Sequence, residues 1–289
     1  MSQEASQSNL AANSLYRSTS GQNNLEPVFR LYHALASTCP FDALSGLGGK
    51  LIYAGQVSGE PSGFGRNLLY AANIAGAASL AVSSDSNALR QAMRDGVIDF
   101  IVNSLEEALR ILKNEIRKHQ PVSVGISADP DLLTIQMLDR GVLPDLLPPA
   151  AWGDSEIWDR SQSEKFLSQG SIEIGHSGEW RNRGAPDFVN WSVSSEPTDS
   201  TNPVIQIAQH SARWLPRLDA CVLSLLPADD TFRRRWIRLA PRYLGRLAHH
   251  VRGVALSAEE KLRFAAEAEQ LIRDHNKASG EKLKFMISG

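Results

Sequence analysis

Four glycines within eleven residues are the best candidates in this chain for binding a cofactor. They follow Leu51 to Ala54, an apolar run long enough for a strand buried on both faces. Glycine tolerates positive φ and lets a ligand approach the backbone closely. A helix that begins after such a loop points unpaired N–H groups toward it, so an anion such as a phosphate can bind there. The four residues are Gly55, Gly59, Gly63 and Gly65.

The sequence around this loop predicts strands that alternate with helices from Gly46 to Leu147. Ser104 with Glu107 has the pattern of a capping box, and Asp129 before Pro130 has the pattern of an N-cap followed by N1. Short alternating elements require parallel pairing with right-handed crossovers, so we predict an α/β fold with a doubly wound, mostly parallel sheet of about five strands. The predicted strands are Leu51–Ala54, Leu80–Val82, Ile98–Val102, Val122–Ile126 and Asp145–Leu147.

The sequence predicts three parts in the whole chain. Residues 1–25 are rich in Ser, Asn and Gln and are expected to form a disordered tail. Residues 26–147 are expected to form the sheet domain, preceded by a helix, and residues 148–289 a smaller mixed α/β segment packed on the sheet or extending it. In that last segment we predict strands at Ser171–Ile174, Phe188–Val193, Val222–Leu226 and Lys284–Ile287, and helices at Asn202–Leu215 and Ser257–Lys277.

Composition excludes several classes of protein. The net charge of −2 gives no general attraction to nucleic acid or membranes, and no apolar run approaches membrane-spanning length. The two cysteines, Cys39 and Cys221, lack the spacing of a metal or redox motif. We therefore expect a cytoplasmic protein without a bound metal and without a membrane or nucleic-acid partner.

The stretch from Phe232 to Arg252 contains seven arginines, two histidines and no acidic residue. Arginines interleaved with Trp236 and Tyr243 could bind phosphates and stack on bases. We favour arginines that pair with acids elsewhere or lie on a solvated helix face, because the chain lacks the overall basicity of nucleic-acid-binding proteins. An anion pocket at a subunit interface is a third interpretation.

Three other candidates have simpler explanations. His249 and His250 are adjacent and therefore point apart on a regular element, which disfavours a shared metal. His176 lies in a loop-rich stretch and Cys39 has no local base, so we expect an exposed histidine and an inert thiol.

The amino-acid sequence of the central segment resembles that of the NAD-binding, Rossmann-like domain of the urocanases (urocanate hydratases). GGKLIYAG is similar to its opening strand, AANIAGAASLAVSSD to its first helix and second strand, NSLEEALRILKNEIRKHQPVSVGI to a later helix and strand, and RGVLPDLL to the stretch before its substrate site. Urocanases use tightly bound NAD as an electrophile that adds to the imidazole of urocanate so that water can enter the side chain. The resemblance therefore implies NAD and a small-molecule substrate.

The chain departs from the urocanase pattern at three places. The family's GLGGMGGAQ loop corresponds to GQVSGEPSGFGRN, and its ribose-binding acid falls at Ser83, with Asp85 as a substitute two residues later. Its substrate segment TDQTSAHDP corresponds to PPAAWGDSEIW, and its catalytic residues have no identifiable counterparts. By this resemblance the cofactor-binding residues are Gly55, Gly59, Gly63, Gly65, Ser83, Asp85 and Gly125.

Two functions are compatible with these residues. The first is a divergent urocanase-like lyase that binds NAD or a related nucleotide, without efficient urocanate hydration. The second is a non-catalytic module that uses the urocanase scaffold to sense a small molecule or bind a protein. A homodimer is compatible with both.

Overall fold

The computed structural model describes residues 25–152, 155–175, 186–195 and 203–289. The predicted tail, apart from Leu25, and His176 lie outside the described residues. The chain divides into two compact units. Of the described residues, those within Pro27–Ala185 and Thr231–Gly245 form the sheet unit, and those within Pro186–Asp230 and Arg246–Gly289, with Leu25 and Glu26, form the second unit.

The sheet unit alternates strands with helices. Its strands are β1 (Leu51–Gln56), β2 (Ala78–Ser83), β3 (Phe100–Val102), β4 (Val122–Ser127), β5 (Leu146–Leu147), β6 (Ala151–Trp152), β7 (Ser155–Glu156) and β8 (Ile172–Glu173). Its helices are α1 (Leu25–Thr38), α2 (Phe64–Ala75), α3 (Ser86–Arg94), α4 (Leu105–Arg117), α5 (Pro130–Asp139), α6 (Arg160–Leu167) and α8 (Thr231–Leu244). Six strands form a parallel sheet in the order β3-β4-β2-β1-β5-β8, and β6 and β7 form a separate antiparallel pair. The predicted doubly wound sheet is confirmed, with β8 as an additional strand.

The alternation of residues along β4 shows which helices lie on which face. Val122, Val124 and Ile126 belong to one buried cluster with residues of α4, α5 and α6. Ser123 points the other way and donates a hydrogen bond of 3.0 Å to Asn73 of α2. A Cβ on Gly125 would also meet Leu89 of α3 at 3.0 Å. Helices therefore cover both faces of the sheet.

An aromatic layer joins α1 to α8. The Phe29 ring lies 4.9 Å from the Trp236 ring, and the Tyr32 ring stacks on that of Phe232 at 4.6 Å. The Tyr32 hydroxyl also donates to the Phe232 carbonyl at 3.0 Å. The Arg-rich stretch thus begins as a helix whose Phe232 and Trp236 pack against α1, and Trp236 is buried in the core.

The caps explain where the helices of the sheet unit begin. Asp129 accepts hydrogen bonds from Asp131 N and Leu132 N, and Pro130 follows it, as predicted. Ser104 accepts from Glu107 N, whereas the Glu107 carboxylate accepts from Asn103 N, one residue earlier than in the predicted capping box. These local bonds fix where the chain turns away from each strand.

The second unit combines three strands with two helices. Its elements are β9 (Asp187–Ser195), α7 (Pro203–Leu225), β10 (Arg252–Leu256), α9 (Ala258–Ser279) and β11 (Leu283–Ser288). The strands form an antiparallel sheet in the order β10-β9-β11. Trp191 of β9 packs edge-on against Phe264 of α9 at 5.0 Å. Ser257 and Glu260 form the predicted capping box at the start of α9.

The predicted strand Val222–Leu226 is wrong. Residues 222–225 form the end of α7, and Leu226 N, just beyond it, donates to Val222 O in a helical hydrogen bond of 3.1 Å. A short apolar run is compatible with either a strand or a buried helix, and here helical spacing prevails. The buried residues that show this spacing are Trp214, Leu215, Leu218 and Val222.

Candidate functional site

The strand order reverses direction between β1 and β5. From β1 the chain passes to β2 on one side, and from β5 it passes to β8 on the other. The segments that leave these two neighbouring strands therefore diverge, which opens a crevice at their carboxyl ends. Ligands of open α/β sheets bind at such a point.

Gly55 gives the end of β1 an irregular shape. The pairing of β1 with β2 shifts between Tyr53 and Gly55, and Gly55 has φ +70°. A Cβ at this position would have no described heavy atom within 4 Å. After the bulge the chain stays beside β2, because Val57 N donates to Val82 O at 2.8 Å. Gly55 therefore combines a backbone conformation that favours glycine with free space beside it.

The start of α2 packs tightly on the end of β1. A Cβ on Gly65 would lie only 2.4 Å from the Gln56 carbonyl oxygen, so glycine is needed for this close approach. Gly63 is the N-cap and offers no side-chain acceptor to the first turn. The turn before it is closed by Gly63 N donating to Glu60 O at 3.1 Å. Gly59 lies in the same loop, where a Cβ would have no described neighbour within 4 Å.

The end of β2 places Ser83 and Asp85 in different environments. Ser83 is only 1% exposed, and its hydroxyl accepts a 3.3 Å bond from Asp85 N. Asp85 is exposed and caps α3, where its Oδ1 accepts from Asn87 N at 2.8 Å. Asp85 is thus the more accessible of the two acceptors.

Gly125 lies inside β4 rather than at its end. It shares a row across the sheet with Gly55 of β1 and Ala81 of β2. A Cβ there would lie 3.0 Å from both Leu89 and Ile98. The structure therefore gives Gly125 a packing role, since its missing side chain lets these two residues lie close to the sheet.

A family model, that of the urocanase Rossmann-like domain, matches residues 45–150. The matched residues include the glycine loop, the start of α2 and the strands on either side. This segment is similar to the Rossmann-like domain of the urocanases. It covers just over a third of the 289 residues and includes all five strands predicted from Gly46 to Leu147. The resemblance seen in the sequence is therefore confirmed for this segment.

The chain that leaves β5, at the end of the matched segment, packs through its tryptophans. The Trp158 ring lies 5.6 Å from Tyr53 of β1, and its indole N–H donates to Pro148 O at 3.2 Å. Trp152 lies 5.6 Å from Phe64, the first residue of α2. Burial raises the pKa of Tyr53 to about 12, so this hydroxyl is neutral at physiological pH. These contacts were not predicted from the sequence, although two tryptophans after a buried strand were a usable signal.

The amino ends of the strands in the matched segment are held by long-range contacts. Asp145 accepts from Lys50 Nζ at 2.9 Å and from Leu51 N at 2.8 Å, so it ties β5 to β1. Arg235 of α8 donates to Ile74 O at 2.8 Å and to Leu44 O at 2.7 Å. One arginine of the Arg-rich stretch therefore closes the end of α2. This role was not predicted, because Arg235 lies 161 residues from Ile74 in the sequence.

The remaining candidates are structural in character. Burial raises the pKa of the Cys39 thiol, and it raises the pKa of Cys221 to about 11, so neither thiol is activated. His250 lies 3.3 Å from the Ser211 hydroxyl, and burial lowers its pKa. Over the described ranges, no cluster of three or more His, Cys, Asp or Glu side chains could hold a metal ion. None of the described helices is both long and apolar enough to span a membrane.

Proposed function

We propose that this chain binds NAD or a related nucleotide at the carboxyl ends of β1 and β2, and that it does not hydrate urocanate efficiently. One observation carries the proposal. The first turn of α2 lies against the end of β1 because Gly65 has no side chain, and its N-cap Gly63 contributes no competing acceptor. A helix N-terminus in this state suits a phosphate, which accepts from its N–H groups and interacts with the helix dipole.

The residues of the loop fit a dinucleotide in part. Gly55 and Gly59 leave space in which phosphates could approach the backbone. Asp85 would accept hydrogen bonds from a ribose, because it is the exposed carboxylate at the end of β2. Buried Ser83 fits that role poorly, since ribose hydroxyls could not reach it without displacing its neighbours. Bound NAD would supply an electrophilic nicotinamide ring.

Efficient urocanate hydration needs residues that orient the imidazole and deliver protons as well as the cofactor. The segment that leads to the substrate site in urocanases is replaced after Leu147. Here Trp158 is used for packing against Tyr53, and Trp152 contacts Phe64. This supports a nucleotide-binding scaffold that has lost the substrate half of the site. Any catalysis here would be lyase chemistry on another small molecule.

The proposal extends to partners and location. We propose a small-molecule ligand and a homodimer. We propose no nucleic-acid partner, because Arg235 and Arg252 already donate hydrogen bonds within the chain, to Ile74 O and to the Asp219 carboxylate. We propose the cytoplasm as the compartment, since Cys39 and Cys221 are both free thiols.

Calorimetry with NAD tests the binding site. A Cβ added at Gly63 would lie 2.7 Å from Ser58 Oγ. The branched side chain of Gly63→Val should therefore obstruct the loop. We expect its affinity to fall roughly tenfold or more, about 1.4 kcal/mol. Ala43→Val is the control, because Ala43 is exposed beside Leu44, which bonds the amino-edge Arg235. Equal affinity for native chain and Gly63→Val, or no NAD binding by the native chain, would refute the proposed site.

A spectroscopic assay tests the second part. Urocanate absorbs strongly in the ultraviolet, and this absorbance disappears on hydration. We expect no such loss with or without added NAD. Turnover on the order of one per second or faster would show that the chain after Leu147 has rebuilt a substrate site.

A further inference from the structure

Two aromatic side chains meet at the crevice between β1 and β5. Phe64 is the first residue of α2 and so belongs to the segment that leaves β1, whereas Trp152 lies in β6, in the segment that leaves β5. Their ring centroids lie 5.6 Å apart at an interplanar angle of 57°. Both residues are half-buried, so each keeps part of its surface open to solvent. The pair therefore bridges the two segments that diverge where the strand order reverses.

Hydrogen bonds hold the glycine loop beside these two rings. Asn67 Nδ2 donates to Ser62 O at 3.1 Å, and Asn67 is only 4% exposed, so this bond is shielded from water. Gly63 N donates to Glu60 O at 3.1 Å and closes the turn just before α2. The loop is thus fixed against the start of the helix. The Phe64 ring lies within the length of one side chain of the first-turn N–H groups to which a phosphate is proposed to bind.

The order of the strands gives a bound nucleotide a direction. In the sheet, β1 lies between β2 and β5. Asp85 follows β2 on one side, α2 begins after β1, and Trp152 follows β5 on the other side. A ligand with a ribose at Asp85 and its phosphates at α2 therefore has its remaining part on the β5 side. Dinucleotides cross the crevice of an open α/β sheet in this extended manner.

The chemistry of Phe64 and Trp152 indicates what that remaining part is. Aromatic side chains bind flat rings through offset stacking or edge-to-face contact. The indole of tryptophan is also the strongest aromatic partner for a cation. The nicotinamide ring of oxidised NAD is both flat and positively charged. A further phosphate would gain little here, because neither side chain carries a positive charge.

We infer that Phe64 and Trp152, together the aromatic pair, bind the nicotinamide ring of NAD, and that Trp152 gives the site a preference for nucleotides that carry this ring. This inference rests on the proposed nucleotide site and specifies its second half. Trp152 lies beyond residues 45–150, which match the urocanase model, and within the stretch that replaces the urocanase substrate sequence. The contact is therefore a feature of this chain's own sequence.

Calorimetry with NAD and with ADP-ribose, which lacks only the nicotinamide ring, tests the aromatic pair. We expect the native chain to bind NAD roughly three- to tenfold more tightly than ADP-ribose, as one aromatic contact allows. Trp152→Leu should abolish this preference by weakening NAD alone, whereas Trp152→Phe should retain most of it. Phe64→Leu should reduce it. Phe100→Leu is the matched control, because Phe100 is aromatic and 48% exposed but lies on β3 at the end of the sheet. Circular dichroism shows whether all variants are folded.

Fluorescence provides a second test on the unaltered chain. NAD should quench its tryptophan emission more strongly than ADP-ribose does, because only NAD brings a ring against the Trp152 indole. This difference should disappear in Trp152→Phe, which still binds NAD. Equal affinities of the native chain for NAD and ADP-ribose, a preference that survives in Trp152→Leu, or equal weakening of both ligands by that variant would overturn the inference and leave the glycine-loop site standing. A native chain that binds neither ligand would overturn both proposals.

Discussion

The amino ends and the carboxyl ends of the parallel strands, here called the amino edge and the carboxyl edge of the sheet, are built in opposite ways. At the amino edge, side chains from distant segments close the backbone groups, as Asp145 does for Leu51 N and Arg235 for Ile74 O. At the carboxyl edge, Gly55 and Gly59 have free space beside them. The helix start at Gly63 also lacks a side-chain cap.

This difference separates stability from binding within one sheet. Closed backbone groups at the amino edge contribute to folding, since a buried group without a partner is costly. Free space and uncapped N–H groups at the carboxyl edge contribute nothing to folding but are available to a ligand. Substitutions at the two edges should therefore affect different measurements.

Glycine substitution should show the largest contrast. Gly46, at the amino edge, has φ +66°, and a Cβ there would lie 2.1 Å from the Ala75 carbonyl oxygen. We expect Gly46→Ala to lower the free energy of unfolding by roughly 4 kcal/mol, through backbone strain and this clash. At the carboxyl edge Gly59→Ala should change it by less than about 0.5 kcal/mol. Urea unfolding measures both values.

A third glycine separates strain from the clash. Gly96 has φ +74°, but a Cβ there would have no described atom within 4 Å. Gly96→Ala should therefore cost about 1 kcal/mol, the strain alone. If Gly46→Ala lowers the free energy of unfolding no more than Gly96→Ala does, close packing of Gly46 does not stabilise the amino edge.

The sequence predicted the carboxyl edge better than the amino edge, for a physical reason. The glycine loop, the strands and the caps at Asp129 and Ser257 are local patterns, so a short window of sequence contains the whole signal. The partners of Asp145 and Arg235 lie at least 94 residues away, and no local pattern encodes such pairs.

The second unit shows where local patterns mislead. Val222–Leu226 is apolar enough for a strand, yet it ends a helix that continues through Pro216. The chain also leaves the second unit at Asp230 and returns at Arg246, so α8 between them belongs to the sheet unit. Periodicity reports the type of an element but not the unit in which it packs.

The second unit contains a buried ion pair between Arg252 and Asp219, in contrast to the exposed Lys50–Asp145 pair at the amino edge. Arg252 donates to Asp219 at 3.1 Å, and both side chains are less than 15% exposed. Burial raises the pKa of Asp219 from 3.8 to about 6, against the opposing effects of Arg252 and the Trp191 indole. Folding thus favours the protonated carboxyl. The stabilisation that the protonated Asp219 carboxyl adds to the free energy of unfolding is complete below pH 3.8 and is lost as pH rises through about 6.

We expect this loss to appear in a comparison of the native chain with Asp219→Asn. The difference in their free energies of unfolding should shift against the native chain by up to about 3 kcal/mol between acidic and neutral pH. Glu281→Gln is a control of opposite sign, because the bond from His275 lowers the pKa of Glu281. A pH-independent difference for Asp219→Asn would mean that folding leaves the pKa of the Asp219 carboxyl unchanged.

The amino-edge pair should respond asymmetrically to removal of its partners. Asp145→Ala leaves Leu51 N without its acceptor and Lys50 without its partner, so we expect a loss of about 2 kcal/mol. Lys50→Ala removes only an ion pair whose side chains are 44% and 36% exposed, which should cost less than about 1 kcal/mol. Neither variant should change NAD affinity. Equal losses would show that the ion pair, and not the backbone bond, is the important contact.

The smallest expected effect on stability gives the most specific test of the carboxyl edge. Asp85 and Asp129 are both helix N-caps at this edge, and each accepts from backbone N–H groups of its helix. Asp85→Ala and Asp129→Ala should each cost about 1 kcal/mol of unfolding free energy. Calorimetry with NAD should distinguish them, because only Asp85 stands where a ribose would bind after β2. We expect roughly tenfold weaker binding for Asp85→Ala and native affinity for Asp129→Ala. Equal NAD affinities in the two variants would leave Asp85 as a cap alone and confine the nucleotide contacts to the glycine loop.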